Sequence, residues 1–185
     1  MGLVFQPGAK VEARAYAAVL RPLAEAGVLV VVPQQPVGIG FLAMGAFEAA
    51  RTAHPEITRW VVGGHSLGGT VAAMDAEAHA DDVDAPVMGL MLWASYPASD
   101  LSSTLSAAVL SLSGSEDGLA TPATIEASRA DLPAGTTFTV VGGVSHASFG
   151  DYGPQPGDGT PTIGADDARA QISGASVAFL AALAR

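Results

Sequence analysis

The chain has 185 residues, 49% hydrophobic and only 14% charged, which predicts one folded domain over residues 1–185 and excludes intrinsic disorder. Eight basic residues against 18 acidic ones leave a net charge of −10, which repels nucleic-acid phosphates, and no basic stripe offsets it. The absence of cysteine excludes disulfides, thiolate catalysis and cysteine-based zinc sites.

Six short apolar runs read as strands. In chain order they are GLVF (2–5), VLVVV (28–32), RWVVG (59–63), VMGLMLWA (87–94), AAVLSLSG (107–114) and TTFTVVG (136–142). They are continuous rather than alternating, the pattern of strands covered on both faces. Ala-rich stretches between them read as helices. Residues 11–26 end at Gly27, a C-terminal stop, and residues 41–54 close at Pro55. A third helix follows over 67–80. Thr121 and Pro122 open a fourth over 121–131, as cap and first helical residue. Residues 166–185 form the last, with Ile172, Phe179 and Leu183 on one stripe. Strand alternating with helix predicts an α/β fold of about six mostly parallel strands, helices on both faces, and ligands gathered beyond the strands' carboxyl ends.

No apolar run reaches the roughly 20 residues of a membrane span. MGLVFQPG lacks a basic leader segment, so the chain as written is expected to be cytoplasmic. A trimmed N-terminus would leave an anchored or exported protein open.

Chemistry concentrates in the loops that follow strands. Residues 63–69 read GGHSLGG, between the strand RWVVG and a helix. Gly64-His65-Ser66-Leu67-Gly68 fits G-x-S-x-G, a sharp turn that lifts a serine above a helix N-terminus. The flanking glycines give strand and helix room to close up. A serine hydroxyl needs a base, and the base needs an orienting acid, in the chain order Ser, Asp/Glu, His. Of four histidines, His54 and His65 precede Ser66, and His79 lies inside the following helix. His146 alone occupies a later strand-end loop. Asp117, before Gly118, is the favoured acid, with Glu116 as fallback and Asp100 as a weaker third. The oxyanion donors are expected to be the N–H of Leu67 and that of Ala9 in FQPGAK, with Gly8 or Lys10 as substitutes for Ala9. Phe41, Tyr96 and Phe149 are the leading candidates to line a substrate pocket; Met44 and Trp93 also qualify, with a core role at least as natural for Trp93.

Other signals are weaker. GIGFLAMG fails the dinucleotide fingerprint at its last glycine, and no P-loop is present. Asp75 and His79 lie four apart on a helix, which reads as a solvated face rather than a metal site. His65 reads as a packing residue beside the nucleophile. GDYGPQPGDGTPTIG (150–164) is either a functional or mobile loop or a surface strap that pins the last helix.

Five stretches carry a family likeness: VFQPGAKVEARAYAAVLRPLAEAG, VVGGHSLGG, LMLWASYPASDLS, LSGSEDGLATP and SHASFGDYGPQPGDGTPTI. The chain resembles the α/β-hydrolase family, and more narrowly the bacterial cap-less group named after dienelactone hydrolase. The resemblance implies a triad of Ser66, Asp117 and His146 and ester-type hydrolysis without a cofactor or metal. It also implies that the fold's usual first two strands are missing, since Met1 falls at the equivalent of the third, and that no lid covers the site. Dienelactone hydrolase itself uses a cysteine nucleophile, where this chain has Ser66. The expected partner is a small ester, with thioesters and lactones as variants. A peptidase or amidase, or a non-catalytic binding module of the same fold, are the competing readings.

Overall fold

The computed structural model describes residues 1–185. Its sheet comprises β1 (Gly2–Gln6), β2 (Leu29–Val31), β3 (Trp60–His65), β4 (Val87–Trp93), β5 (Ala108–Gly114) and β6 (Thr137–Val141). The strand order is β2-β1-β3-β4-β5-β6, and every pairing is parallel. The helices are α1 (Ala17–Glu25), α2 (Ala46–Ala53), α3 (Leu67–His79), α4 (Pro122–Ala127) and α5 (Ala165–Leu183). All six expected strands and all five expected helices are present. The sequence reading missed two short 3-10 turns, Pro36–Gly38 and His146–Phe149.

The continuous apolar character of the strands has its cause in two cores, one on each face of the sheet. Along β1, Leu3 and Phe5 point to one face and Val4 to the other. The first face carries Val61, Met91 and Trp93 and is covered by Val19, Leu20 and Leu23 of α1 with Ile172 and Leu180 of α5. The second carries Val62, Leu90 and Leu92 and is covered by Phe47 of α2 with Ala72, Ala73 and Ala76 of α3. Each fully buried large side chain of this kind stabilises the fold by about 1.5–3 kcal/mol. The two helices on the first face are also tied by a hydrogen bond, Ser173 Oγ donating to the Val19 carbonyl at 2.7 Å. Thr121 caps α4 as expected, its Oγ1 accepting from the Thr124 N–H at 3.2 Å. No helix is long and apolar enough to cross a membrane.

The strand order sets where chemistry can happen. From β1 the chain steps outward to β2, then returns past β1 to β3 and continues the other way. The loops leaving β1 and β3 therefore diverge and open a crevice at the carboxyl ends of those two strands. Register places Gln6 of β1 opposite Gly64 of β3, so the 7–12 loop and Ser66 leave the sheet side by side.

α3 departs from expectation at Asp75, which the spacing with His79 placed on a solvated face. Asp75 is only 5% exposed, and its Oδ2 has no hydrogen-bond partner. The reason is that α3 packs against the sheet and against the turn at Gly40–Ala43, so little of its circumference is free. Burial pushes the Asp75 carboxyl up to about 6, against the opposing pull of His79 and Gln6. A raised carboxyl destabilises the fold wherever it must ionise. That penalty is absent below about pH 4, where both states are protonated, and complete above about pH 6. Asp75→Asn is accordingly expected to add about 2 kcal/mol to stability at pH 8 and almost nothing at pH 4. Urea unfolding at the two pH values reads the difference; an equal effect at both would refute the assignment to ionisation.

Candidate active site

Ser66 sits between β3 and α3 with φ 53 and ψ −128, a conformation that costs a non-glycine residue about 1–3 kcal/mol. Its surroundings hold it there. The Ser66 N–H donates to the Trp93 carbonyl at 2.9 Å, and its own carbonyl accepts from Ser95 Oγ at 2.6 Å. The motif glycines permit the close approach on either side. A Cβ at Gly64 would collide with the backbone of Gly68, and one at Gly68 with the carbonyl oxygens of Gln6 and Pro7. Ser66 Oγ itself makes no hydrogen bond within the protein.

His146 opens a 3-10 turn after β6, fixed by a reciprocal capping box between Ser145 and Ser148. Its Nδ1 lies 2.9 Å from Asp117 Oδ2, and both side chains are essentially buried, at 2% and 0% exposure. The other Asp117 oxygen accepts from the Leu119 and Ala120 N–H groups, each at 2.8 Å. The carboxylate is thus held on both oxygens and dictates the ring orientation. His146 Nε2 has no protein partner. Ser66 and His146 line one cleft of about 330 Å³, with Leu67, Thr70, Tyr96, Leu119, Ala120 and Gln155 among its other walls. A larger cleft of about 580 Å³ runs beside Lys10, Arg14 and Gln35 and contains neither Ser66 nor His146.

Of the two expected oxyanion donors, Leu67 lines the Ser66 cleft and Ala9 lies in the exposed loop after β1. Leu67 is the first residue of α3, where N–H groups have no helical acceptor. In the loop after β1, the Gly8 N–H donates to Tyr16 Oη at 2.9 Å and the Lys10 N–H to the Gly38 carbonyl at 2.7 Å. Ala9 lies between them, and its N–H has no acceptor in the protein. Gln35 Nε2 adds a brace, donating to the Pro7 carbonyl at 3.2 Å.

The remaining expected residues separate. Tyr96 is 41% exposed on the cleft wall. Phe149, expected in the substrate pocket, is instead fully buried, stacked on His65 at 5.6 Å and packed near Trp93. The 3-10 turn that presents His146 rotates Phe149 inward, into the core under the site. Phe41 is 45% exposed on the Gly40–Ala43 turn and does not line the Ser66 cleft. Met44 is likewise outside the cleft, and Trp93 is a core residue. Of the alternative acids, Glu116 accepts from Ser115 Oγ and Asp100 from the Ser102 N–H; neither meets His146. No group of three or more His, Asp or Glu side chains is placed to hold a metal ion.

His65 packs in the core beside Ser66, and it also makes a contact that spacing could not reveal. The Tyr16 hydroxyl and its Nδ1 share a hydrogen bond of 2.8 Å. Burial, and then the proximity of His146, hold His65 well below the usual imidazole range, so it stays neutral. Burial likewise pushes the Tyr16 hydroxyl up and keeps it protonated, although the Gly8 N–H pulls the other way. A Gly8–Tyr16–His65 chain thereby links the loop after β1 to the residue preceding Ser66. A tyrosine inside an Ala-rich stretch gives no sign of this in the sequence.

Comparison with known proteins places this geometry in context. Residues 2–170 match the profile described as "Alpha/beta hydrolase family". Comparison with curated proteins gives no significant match. Among solved structures, the chain is similar to RedJ, a thioesterase of the prodiginine biosynthetic pathway in Streptomyces coelicolor. The TM-score is 0.63 at 19% identity, over 83% of this chain and 85% of that one. It is also similar to Est1E from Butyrivibrio proteoclasticus, with TM-score 0.70 at 12% identity over 97% of this chain and 88% of that one. Est1E with ferulic acid bound matches at the same TM-score and identity, over 97% and 89%. These structural likenesses establish the fold, and the profile match over nearly the whole sequence establishes kinship: the chain belongs to the alpha/beta hydrolase family.

Proposed function

We propose that residues 1–185 form a single serine hydrolase domain that cleaves small carboxylic esters or thioesters through an acyl-enzyme on Ser66. The observation that carries this reading is the buried Asp117–His146 hydrogen bond on the wall of the cleft that also holds the strained Ser66. Ser66 Oγ attacks the acyl carbonyl carbon, and His146 Nε2 takes its proton. Asp117 holds the ring and stabilises the imidazolium that forms. The N–H groups of Leu67 and Ala9 receive the charge developing on the carbonyl oxygen. The tetrahedral intermediate collapses, and the imidazolium returns its proton to the leaving alkoxide or thiolate. Water then attacks the acyl-enzyme by the same route and releases the acid.

A cleft of about 330 Å³ is near the lower end for small-molecule sites and favours short acyl groups. A thioesterase and a protein that binds ferulic acid, a carboxylic acid, are among the similar structures, in keeping with acyl chemistry. The test is intact-mass labelling with a fluorophosphonate, followed by peptide mapping and assay on chromogenic esters, thioesters and anilides. One adduct, on Ser66, with turnover of esters or thioesters above anilides is expected. No adduct on folded protein would overturn the reading in favour of a non-catalytic module, and anilide preference would replace it with an amidase.

A further inference from the structure

The 150–164 loop carries a side chain that takes three hydrogen bonds from the two loops behind the site and one from its own loop. Asp158 Oδ1 accepts from the N–H groups of Gly118 at 3.1 Å, His146 at 3.0 Å and Gly159 at 2.7 Å. Its Oδ2 accepts from the Ala147 N–H at 2.8 Å. Gly118 directly follows Asp117, and Ala147 directly follows His146. One carboxylate therefore grips the backbone next to the acid and the backbone of the base. We infer that Asp158 is a positioning residue, a carboxylate staple that holds the Asp117 and His146 loops in register so that the imidazole faces Ser66.

Three arguments support the staple. The first is chemical. Four backbone donors converge where only an acceptor with two oxygens can satisfy them, and a carboxylate is acceptor-only. An amide would turn its NH₂ toward the Ala147 N–H, donor against donor. Burial raises the Asp158 carboxyl, but the N–H groups of Ala147, Gly118 and His146 outweigh it and hold it below the usual carboxylate range. The second is steric. A Cβ at Gly118 would collide with the backbone of Gly157, Asp158 and Gly159, so the strap lies directly on the acid loop. The third is topological. Asp117 follows β5 and His146 follows β6, and their loops are also joined by the Glu116 N–H donating to the Val144 carbonyl at 3.0 Å and the Gly143 N–H to Ser115 Oγ at 2.8 Å, bonds that stop two residues short of His146. Asp158 extends the tie to the backbone of His146 itself and of Ala147. The strap role left open by the sequence thus has a specific form: the loop is pinned against the site rather than against α5 alone.

The inference rests on the proposed serine mechanism for its kinetic consequence, and the test includes a readout that does not. Asp158→Asn and Asp158→Ala are compared with wild type and with Glu116→Gln, a neighbouring charge removal outside the staple. The first readout is the downfield proton resonance of the His146 Nδ1–H, assigned by its absence in His146→Ala. It is expected to broaden or vanish in both Asp158 variants and to persist in Glu116→Gln. The second is kcat and KM on a short chromogenic ester. A fall in kcat of about 30- to 100-fold with KM changed less than threefold is the signature of a misplaced base. Asp158→Asn keeps an oxygen for the three Oδ1 donors, so it reads the effect even if the alanine variant fails to fold. A wild-type resonance and kcat within twofold of wild type in a folded Asp158→Asn would overturn the staple. Wild type without ester turnover would overturn the mechanism instead, and the resonance would still decide the staple.

Discussion

Ser66→Ala is expected to lower kcat/KM on a chromogenic ester by about 10⁴- to 10⁶-fold and to abolish the fluorophosphonate adduct. The hydroxyl removed has no hydrogen-bond partner in the protein, so nothing buried is left unpaired, and the unfolding midpoint should stay close to that of wild type. Loss of activity would then report chemistry rather than folding. The backbone sharpens the comparison. With φ 53, position 66 strains alanine as much as serine, whereas glycine adopts that region freely. Ser66→Gly should therefore be equally inactive yet more stable, by about 1 kcal/mol. Thermal unfolding of the three proteins, with labelling in parallel, checks both parts. Retention of more than a hundredth of wild-type turnover in Ser66→Ala would sink the nucleophile assignment.

Much of this architecture could be read from the chain because each element's own residues specify it. Continuous apolar runs announced strands covered on both faces, and Gly27, Pro55 and Thr121-Pro122 marked where helices stop and start. The motif around Ser66 is local too: its glycines and serine lie within five residues, and the same five make the turn. Asp117 and His146 were reached by chain order and by their place after a strand, and the fold brings them to 2.9 Å. What escaped was set by packing between distant segments. Phe149 and Tyr96 look alike as aromatics after strands, yet one is in the core and the other on the cleft wall, because the turn at His146–Phe149 faces inward. Asp75 and His79 have the spacing of a wet helix face, but neighbours contributed by β1 and the Gly40–Ala43 turn enclose the aspartate. The Tyr16–His65 bond and the grip of Asp158 on Gly118 join positions tens of residues apart. Only the Gly157-Asp158-Gly159 triplet hinted at the latter, as an acid freed of bulky neighbours within a proline-rich loop.

Asp117→Asn offers the other large effect, and the surroundings of Asp117 determine how the amide will sit. Oδ1 faces two N–H donors, those of Leu119 and Ala120, and Oδ2 faces His146 Nδ1. An asparagine satisfies the two donors only with its oxygen in the Oδ1 place. Its NH₂ must then point at His146 Nδ1 and donate to it. That forces the imidazole proton onto Nε2, the atom required to accept from Ser66, and the base is disabled while the fold is kept. A fall in kcat of about 10⁴-fold with little change in unfolding midpoint is expected, with fluorophosphonate labelling slowed in step. Glu116→Gln and Asp100→Asn provide the controls. Both remove a carboxylate that sequence alone could have assigned to the triad, and neither touches His146, so each should stay within about twofold of wild type. If Glu116→Gln or Asp100→Asn proved the crippling substitution and Asp117→Asn the silent one, the triad drawn here would be wrong. If all three were silent while Ser66 still took the label, the imidazole would be acting without an orienting carboxylate, and the buried 2.9 Å bond would have only a structural role.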